Sequence, residues 1–291
     1  MVSATEKKEQ IDKIIEENKK PQMLLDISNE RYLERIIVSF IDVGHGDCTL
    51  VTDGKTTMLI DAGSIKDGPL VADFLKNSGV ERIDYLIGTH PDEEHIGGLK
   101  DIIENFNVQK LIMPKTSIQN EVLNAIESAA DKKKIEIIHP SRGDRWNIGY
   151  SQCTVLSCAA VTDENNVDES SIVLHLDTKR YDYLFMSDAK LCNEEAIMKS
   201  GLNYKADVLR VADHGSAESN SEKFIRAVEP EYIVIATDDA SAEYPNDEKL
   251  MMFHSVAKYT IMTNVCSFEI QQGTGREPLR YIHANCDGDI D

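Results

Sequence analysis

From residue 35 onward, short runs of consecutive apolar residues alternate with longer segments whose apolar positions recur three and four apart. The first kind reads as buried β-strand and the second as amphipathic helix. "RIIVSFIDVG", "DCTLVTDG" and "KTTMLIDAG" are three strands, the last two joined at Asp53-Gly54, a hairpin signal. A helix over "GPLVADFLKNSG" leads to the buried strand "IDYLIGT". A helix over "GGLKDIIENF", a strand "VQKLIMP", a helix over "SIQNEVLNAIESAADKKK" and a strand "IEIIHP" follow. The second half repeats the alternation, with strands in "WNIGYSQCTVLSCAA", "SSIVLHLDT", "YDYLFMSDA", "ADVLRVADHG", "YIVIAT", "IMTN" and "CSFEIQQG". Helices are expected over "NEEAIMKSG", "NSEKFIRAVEP" and "NDEKLMMFHSVAK". Two strand-rich halves, each followed by helices, predict two sheets face to face with helices outside.

The ends differ from this body. Residues 1–20 read as a solvated helix, with a capping box at Ser3 and Glu6, a narrow stripe at Ile11, Ile14 and Ile15, and Pro21 as its stop. This gives a helical extension over 1–34, one large domain over 35–280 and an acidic tail over 281–291. Apolar residues make up 41% and charged residues 28% of the 291, an ordinary balance for a globular protein. No apolar run approaches the ~20 residues of a membrane span, and the N-terminal segment is charged where a signal peptide would be apolar. A cytoplasmic protein without membrane contact is therefore expected. The six cysteines form no C-x-x-C pair and read as reduced packing residues. Cys153 and Cys158, five apart, are expected on opposite faces of one strand. The formal net charge of −20 argues against a broad nucleic-acid surface without a partner protein. It leaves room for a small phosphorylated substrate or a locally basic groove.

"THPDEEHIGG" concentrates the chemistry. His90, Asp92, Glu94 and His95 follow a buried strand, at the end where α/β sites form, and Gly97 and Gly98 let the chain turn closely into the next helix. Imidazole and carboxylate together suit zinc, manganese or iron, and so many acids would repel one another without a cation. The plainer reading is a polar turn with surface charges. Two further strands end similarly, "LFMSDAK" at Asp188 and "VLRVADHGSAESN" at Asp213, His214, Gly215 and Ser216. Asp61 in "MLIDAGS" is placed to orient a ligand histidine. His214 is a candidate proton donor to a leaving oxygen. Ser216 and the amides around Gly215 are candidates to hold a phosphate, or simply cap the following helix.

The ordered set "FIDVGHGDCTLV", "MLIDAG", "THPDEEHIGG", "FMSDA" and "VLRVADHGS" resembles the metallo-β-lactamase superfamily. It is most similar to the hydrolase domain of ComEC-type DNA-uptake proteins and their stand-alone relatives, over roughly residues 35–275. The resemblance implies a four-layer αββα sandwich, a divalent metal centre of one or two ions, with zinc or manganese favoured, and hydrolysis by a metal-activated water. It implies that His90, Asp92, Glu94, His95 and Asp188 hold metal, and that Glu94 also positions the water. The family pattern is altered here. Glu94 stands for Asp, Ser187 for Gly, Asp213 for the first His of "HHGS" and Tyr244 for the late metal-binding His, which implies a weakened second metal position. Asn165 and Asn166 stand near the missing middle His. His45, in the "DVGHGD" turn, either faces the site or braces the turn.

Two functions are expected from this set. One is a metal-dependent phosphodiesterase or nuclease, with nucleic acid or a phosphorylated small molecule as substrate. The other is a non-catalytic family member serving as sensor, scaffold or regulatory subunit. A β-lactamase or thioesterase activity fits less well.

Overall fold

The computed structural model describes residues 36–161, 163–178, 181–238, 244–263, 268–271 and 280–283. The expected N-terminal helix and most of the acidic tail lie outside them. In chain order the strands of the first half are β1 (Ile37–Phe40), β2 (Thr49–Thr52), β3 (Thr57–Ile60), β4 (Arg82–Ile83), β5 (Tyr85–Ile87), β6 (Asn107–Val108), β7 (Lys110–Ile112) and β8 (Glu136–Ile138). The second half supplies β9 (Arg145–Ile148), β10 (Ser151–Ser157), β11 (Val173–Asp177), β12 (Asp182–Phe185), β13 (Val208–Arg210), β14 (Tyr232–Ile235), β15 (Tyr259–Met262), β16 (Phe268–Gln271) and β17 (Arg280–His283). The helices are α1 (Gly68–Asn77), α2 (Glu93–Ile96), α3 (Leu99–Asn105), α4 (Glu121–Lys133), α5 (Leu191–Lys199), α6 (Glu222–Val228) and α7 (Asp247–Val256).

One sheet has the order β17-β16-β1-β2-β3-β5-β7-β8 and the other β15-β14-β13-β12-β11-β10-β9, with β4 and β6 as a separate ribbon. In each sheet an antiparallel part meets a parallel part, β3-β5-β7-β8 in the first and β12-β13-β14-β15 in the second. Parallel strands joined by helices are covered on both faces and so read as unbroken apolar runs. Along β3, Met58 and Ile60 face the other sheet while Leu59 faces the helices. Along β12, Tyr183 and Phe185 face inward and Leu184 outward. The result is three cores: one between the sheets, one under α1, α3 and α4, and one under α5, α6 and α7. This is the expected αββα sandwich.

Two local expectations need correction. Sheet pairing continues to His283, past the boundary placed at 280. Cys153 and Cys158 pack against the same inter-sheet core, because a bulge between Val155 and Ser157 shifts the register of β10. Gly97 and Gly98 form the turn between α2 and α3, as expected, with helical backbone angles. They are needed for close approach, since a Cβ at Gly98 would overlap the Ala62 carbonyl oxygen and one at Gly97 the Ile65 amide. Among the described residues, no helix is long and apolar enough to cross a membrane.

Phe40 spans the middle layer and meets Phe185 of the opposite sheet at a ring separation of 6.3 Å. Phe40→Ala should cost about 3–5 kcal/mol, the usual loss for an emptied aromatic core position. Urea unfolding should show it as a lower midpoint with an unchanged slope.

Candidate metal centre

The parallel strands of both sheets end at one edge, and the residues just beyond carry the centre. Asp61 follows β3, His90 lies beyond β5, and His95 sits on α2. Asp188 lies beyond β12, and Asp213 and His214 beyond β13. The backbone there is strained. Asp61, Ser187, Asp213 and His214 have φ of 58°, 49°, 48° and 51°, a left-handed region that side chains other than glycine rarely adopt. Asn220 braces one of these loops, accepting from the Ala212 amide at 2.9 Å and donating to its carbonyl at 2.7 Å.

Hydrogen-bond accounting fixes the imidazoles. Thr89 Oγ1 donates to Asp61 Oδ2 at 2.7 Å and Ser187 Oγ donates to Thr89 Oγ1 at 2.6 Å. His90 Nδ1 faces these two hydroxyl oxygens at 3.2 and 3.3 Å. Both hydroxyl protons are already committed, so the proton between them and the ring belongs to Nδ1. His95 Nδ1 donates to Asp61 Oδ2 at 3.0 Å, and His214 Nδ1 to the Ala236 carbonyl at 3.0 Å. All three rings therefore present Nε2 to Asp188: His95 at 3.1 Å and His90 at 3.7 Å from Oδ2, His214 at 3.9 Å from Oδ1. An anchored Nδ1–H and a lone pair on Nε2 is the arrangement of a metal-binding histidine.

The donor set fits a divalent ion. Ligand atoms of His90, His95 and Asp188 lie within 4.8 Å of one another, and all three residues are buried. His90 Nε2 and Asp188 Oδ1 have no hydrogen-bond partner, a costly condition for buried polar atoms that coordination would relieve. Burial drives the His214 pKa down to about 4, so it is neutral at pH 7 and presents a lone pair, as a ligand does, rather than a proton to donate. Burial also lowers His90, helped by the charge of His95. Burial opposes charge on His95 as well, but the Asp188 and Asp61 carboxylates outweigh it and hold its pKa well above the ordinary value. Burial would raise Asp188, but the imidazoles hold it well below the carboxylate range.

The other residues singled out in the sequence take different places. Asp61 orients both His95 and, through Thr89, His90. Asp92 caps α2, its Oδ1 accepting from the Glu94 amide at 2.9 Å, and lies outside the ligand group. Glu94 is half-exposed, 3.6 Å from His45 Nε2. His45 does face the site, its ring 4.5 Å from that of His214 and 5.1 Å from that of Tyr244. Tyr244 packs edge-on to His214 at a ring separation of 6.1 Å, beside the centre. Ser216 donates to Asp213 Oδ2 at 2.5 Å. Asn165 and Asn166 instead bond Asp163, and the residue that reaches His90 from that loop is Asp168, at 3.7 Å. His175 Nε2 donates to the Lys205 carbonyl at 2.9 Å, within its own half of the fold.

Sequence reasoning passed over Asp168, Lys190, Asp47 and Arg210. Lys190 Nζ bridges Asp213 at 2.5 Å and Asp168 at 3.1 Å. Arg210 forks onto Asp47 at 3.1 and 2.6 Å, and burial still pushes the Asp47 pKa up to about 6 against the pull of the guanidinium. Asp47 was visible in "GHGDCTL", but its partner lies 163 residues away.

Proton competition gives the centre a pH signature. Without metal, the raised His95 value contributes stability that is present below its ordinary 6.5 and lost as pH rises through its higher folded value. The depressed Asp188 value contributes stability that is present above its ordinary 3.8 and lost as pH falls through its folded value. A bound ion needs the His95 Nε2 lone pair, so that proton must leave. His90 and His214 are already neutral and release none. Zinc or manganese affinity should therefore rise between pH 6 and 8, with release of about one proton per ion. Calorimetric titration in buffers of different ionisation enthalpy measures this, and pH-independent binding would contradict the assignment.

The family model described as the metallo-beta-lactamase superfamily matches residues 41–237. ComE operon protein 3 of Bacillus subtilis is 29% identical over 240 residues, covering 75% of this chain and 31% of that protein. Recombination protein 2 of Haemophilus influenzae is 27% identical over 205 residues, covering 69% of this chain and 24% of that protein. The chain thus spans about a quarter to a third of the length of these curated relatives, both competence proteins of the ComEC type. Among solved structures, the metallo-beta-lactamase fold protein YhfI of Bacillus subtilis superposes with a TM-score of 0.54 at 12% identity, over 82% of this chain and 99% of that one. CmlA of Streptomyces venezuelae, a diiron beta-hydroxylase, gives 0.53 at 15% identity, over 82% and 54%. The family match runs through the strands whose ends carry His90, Asp188 and His214, and this chain belongs to the metallo-beta-lactamase superfamily.

Proposed function

We propose that the protein is a metal-dependent hydrolase of phosphodiester bonds. The observation that carries this is the convergence of three imidazole Nε2 atoms on Asp188, with His90 Nε2 and Asp188 Oδ1 buried and unpaired. His90, His95 and Asp188 would hold the ion, with His214 beside them. A divalent ion there would lower the pKa of water and polarise the scissile phosphorus. Asp61 and Ala236 fix the imidazole orientations, so the donors need no rearrangement on binding. A cleft of about 480 Å³ opens beside Asp213, lined among others by Lys190, Ser216, Tyr244 and Asn246. Its size suits a nucleotide or the end of a strand better than a duplex. The ComEC-type relatives, one of them named for recombination, support nucleic acid as the source of the phosphodiester. The −20 charge supports a partner protein that supplies the basic surface a long polyanion needs.

The non-catalytic reading draws on the rim. Glu94 turns to His45 and Asp92 to its helix cap, so two of the expected ligands are engaged elsewhere. It predicts metal binding without turnover.

The purified chain, loaded with Mn or Zn, should cleave bis(p-nitrophenyl) phosphate or single-stranded DNA, and a chelator should stop it. His90→Ala and Asp188→Ala should abolish cleavage while leaving a cooperative thermal transition. A metal-loaded chain with no turnover on either substrate supports the non-catalytic reading. Cleavage that survives His90→Ala comes from elsewhere.

A further inference from the structure

Lys190 opens α5, where its amide donates to Asn193 Oδ1 at 3.0 Å. Asn193 in turn donates to the Glu169 carbonyl at 2.9 Å and to Ser157 Oγ at 3.0 Å, which ties the loop carrying Asp168 to the same helix start. The Lys190 ammonium lies 2.5 Å from Asp213 Oδ2, 3.1 Å from Asp168 Oδ2 and 3.8 Å from Glu218 Oε2. The other oxygen of Asp168 lies 3.7 Å from His90 Nε2, which is fully buried and has no hydrogen-bond partner. Without the ammonium, Asp168 and Asp213, with Glu218 at their rim, would form a carboxylate set of the kind that takes manganese, next to the ion His90 would bind.

We propose that Lys190 is a tethered cation occupying a second metal position bounded by Asp168 and Asp213. This rests on the reading of His90, His95 and Asp188 as a metal centre only for the ion beside it. It differs from a position weakened by Glu94 and Tyr244, which lie on the His45 side of the centre. The compact ammonium supplies one fixed positive charge and three donors, two of them directed to Asp213 and Asp168. The same group lines the cleft, so an anionic phosphate oxygen entering it meets a lysine where a two-metal enzyme would present its second ion.

Metal counting tests this. Wild-type, Lys190→Ala and Lys190→Arg chains are saturated with Mn, desalted and measured by elemental analysis. Lys190→Ala should hold about one more ion per chain than wild type, because three carboxylates lose their counter-charge. Lys190→Arg should match wild type. Asp213→Asn should leave the wild-type count unchanged but remove the extra ion in the Lys190→Ala background. Equal counts for Lys190→Ala and wild type overturn the proposal, as does a loss of metal in Asp213→Asn alone. If Lys190→Ala fails to fold, Lys190→Ser and the single Asp213→Asn count decide. A wild-type chain that binds nothing overturns the metal-centre reading instead, and the difference between Lys190→Ala and wild type still judges Lys190.

Discussion

The two sheets are locked at the site edge by one buried ion pair. Arg210, at the end of β13, forks onto Asp47 from the loop that precedes β2. Its remaining Nη1 donates to the carbonyls of Ser187 and Val211. One guanidinium thus holds the loop before Asp188, the loop before Asp213 and a loop of the opposite sheet. Arginine suits this because it cannot shed its charge, and its planar fork matches a carboxylate. Losing either partner would strand a buried charge, at a cost of about 3–5 kcal/mol. The geometry of the centre is therefore set from below, by a contact that touches none of its ligands.

That anchoring explains how the strand ends tolerate their backbone. Four left-handed residues cost roughly 1–3 kcal/mol each and persist only where surroundings over-determine them. Ser187 shows what the strain secures. A glycine would fit its φ of 49° without cost, but it would remove the hydroxyl that stands between Thr89 and His90. The serine trades local comfort for a fixed proton on His90 Nδ1, which leaves the Nε2 lone pair aimed at Asp188.

The fold was legible because both parallel halves are covered on two faces. The strands that lead into the site read as apolar runs that stop at an acid or a histidine, as "YLIGTH" and "YLFMSD" do. His90, His95, Asp188 and His214 could be found this way, since each lies just beyond such a run. Asp168, Lys190 and Arg210 could not. Asp168 sits in an irregular loop where Asn165 and Asn166 drew attention, and Lys190 looks like an ordinary first residue of a surface helix. Arg210 lies inside an apolar strand, with its partner 163 residues away. Nothing local in the sequence marks a side chain whose role comes from a distant contact. Asp92 and Glu94 take partners that their spacing does not announce. Their spacing suggests convergence, but the one-turn helix α2 directs Asp92 to its own cap and Glu94 to the rim.

Charge balance links these observations. Asp47, Asp61, Asp188, Asp168 and Asp213 crowd the edge, against the permanent cations Arg210 and Lys190. Burial tempers one of the five by raising Asp47 to about 6, and the proton on His95 offsets another. Replacing that single proton by a divalent ion brings the group closer to neutrality and gives His90 Nε2 and Asp188 Oδ1 their missing partner. A second divalent ion would have to displace an ammonium already seated between Asp168 and Asp213. The same excess of acid that draws in the first ion is thus balanced by Lys190 where the second would sit. On the proposed reading, an incoming phosphate would meet positive charge on both sides, one from the ion and one from the chain itself.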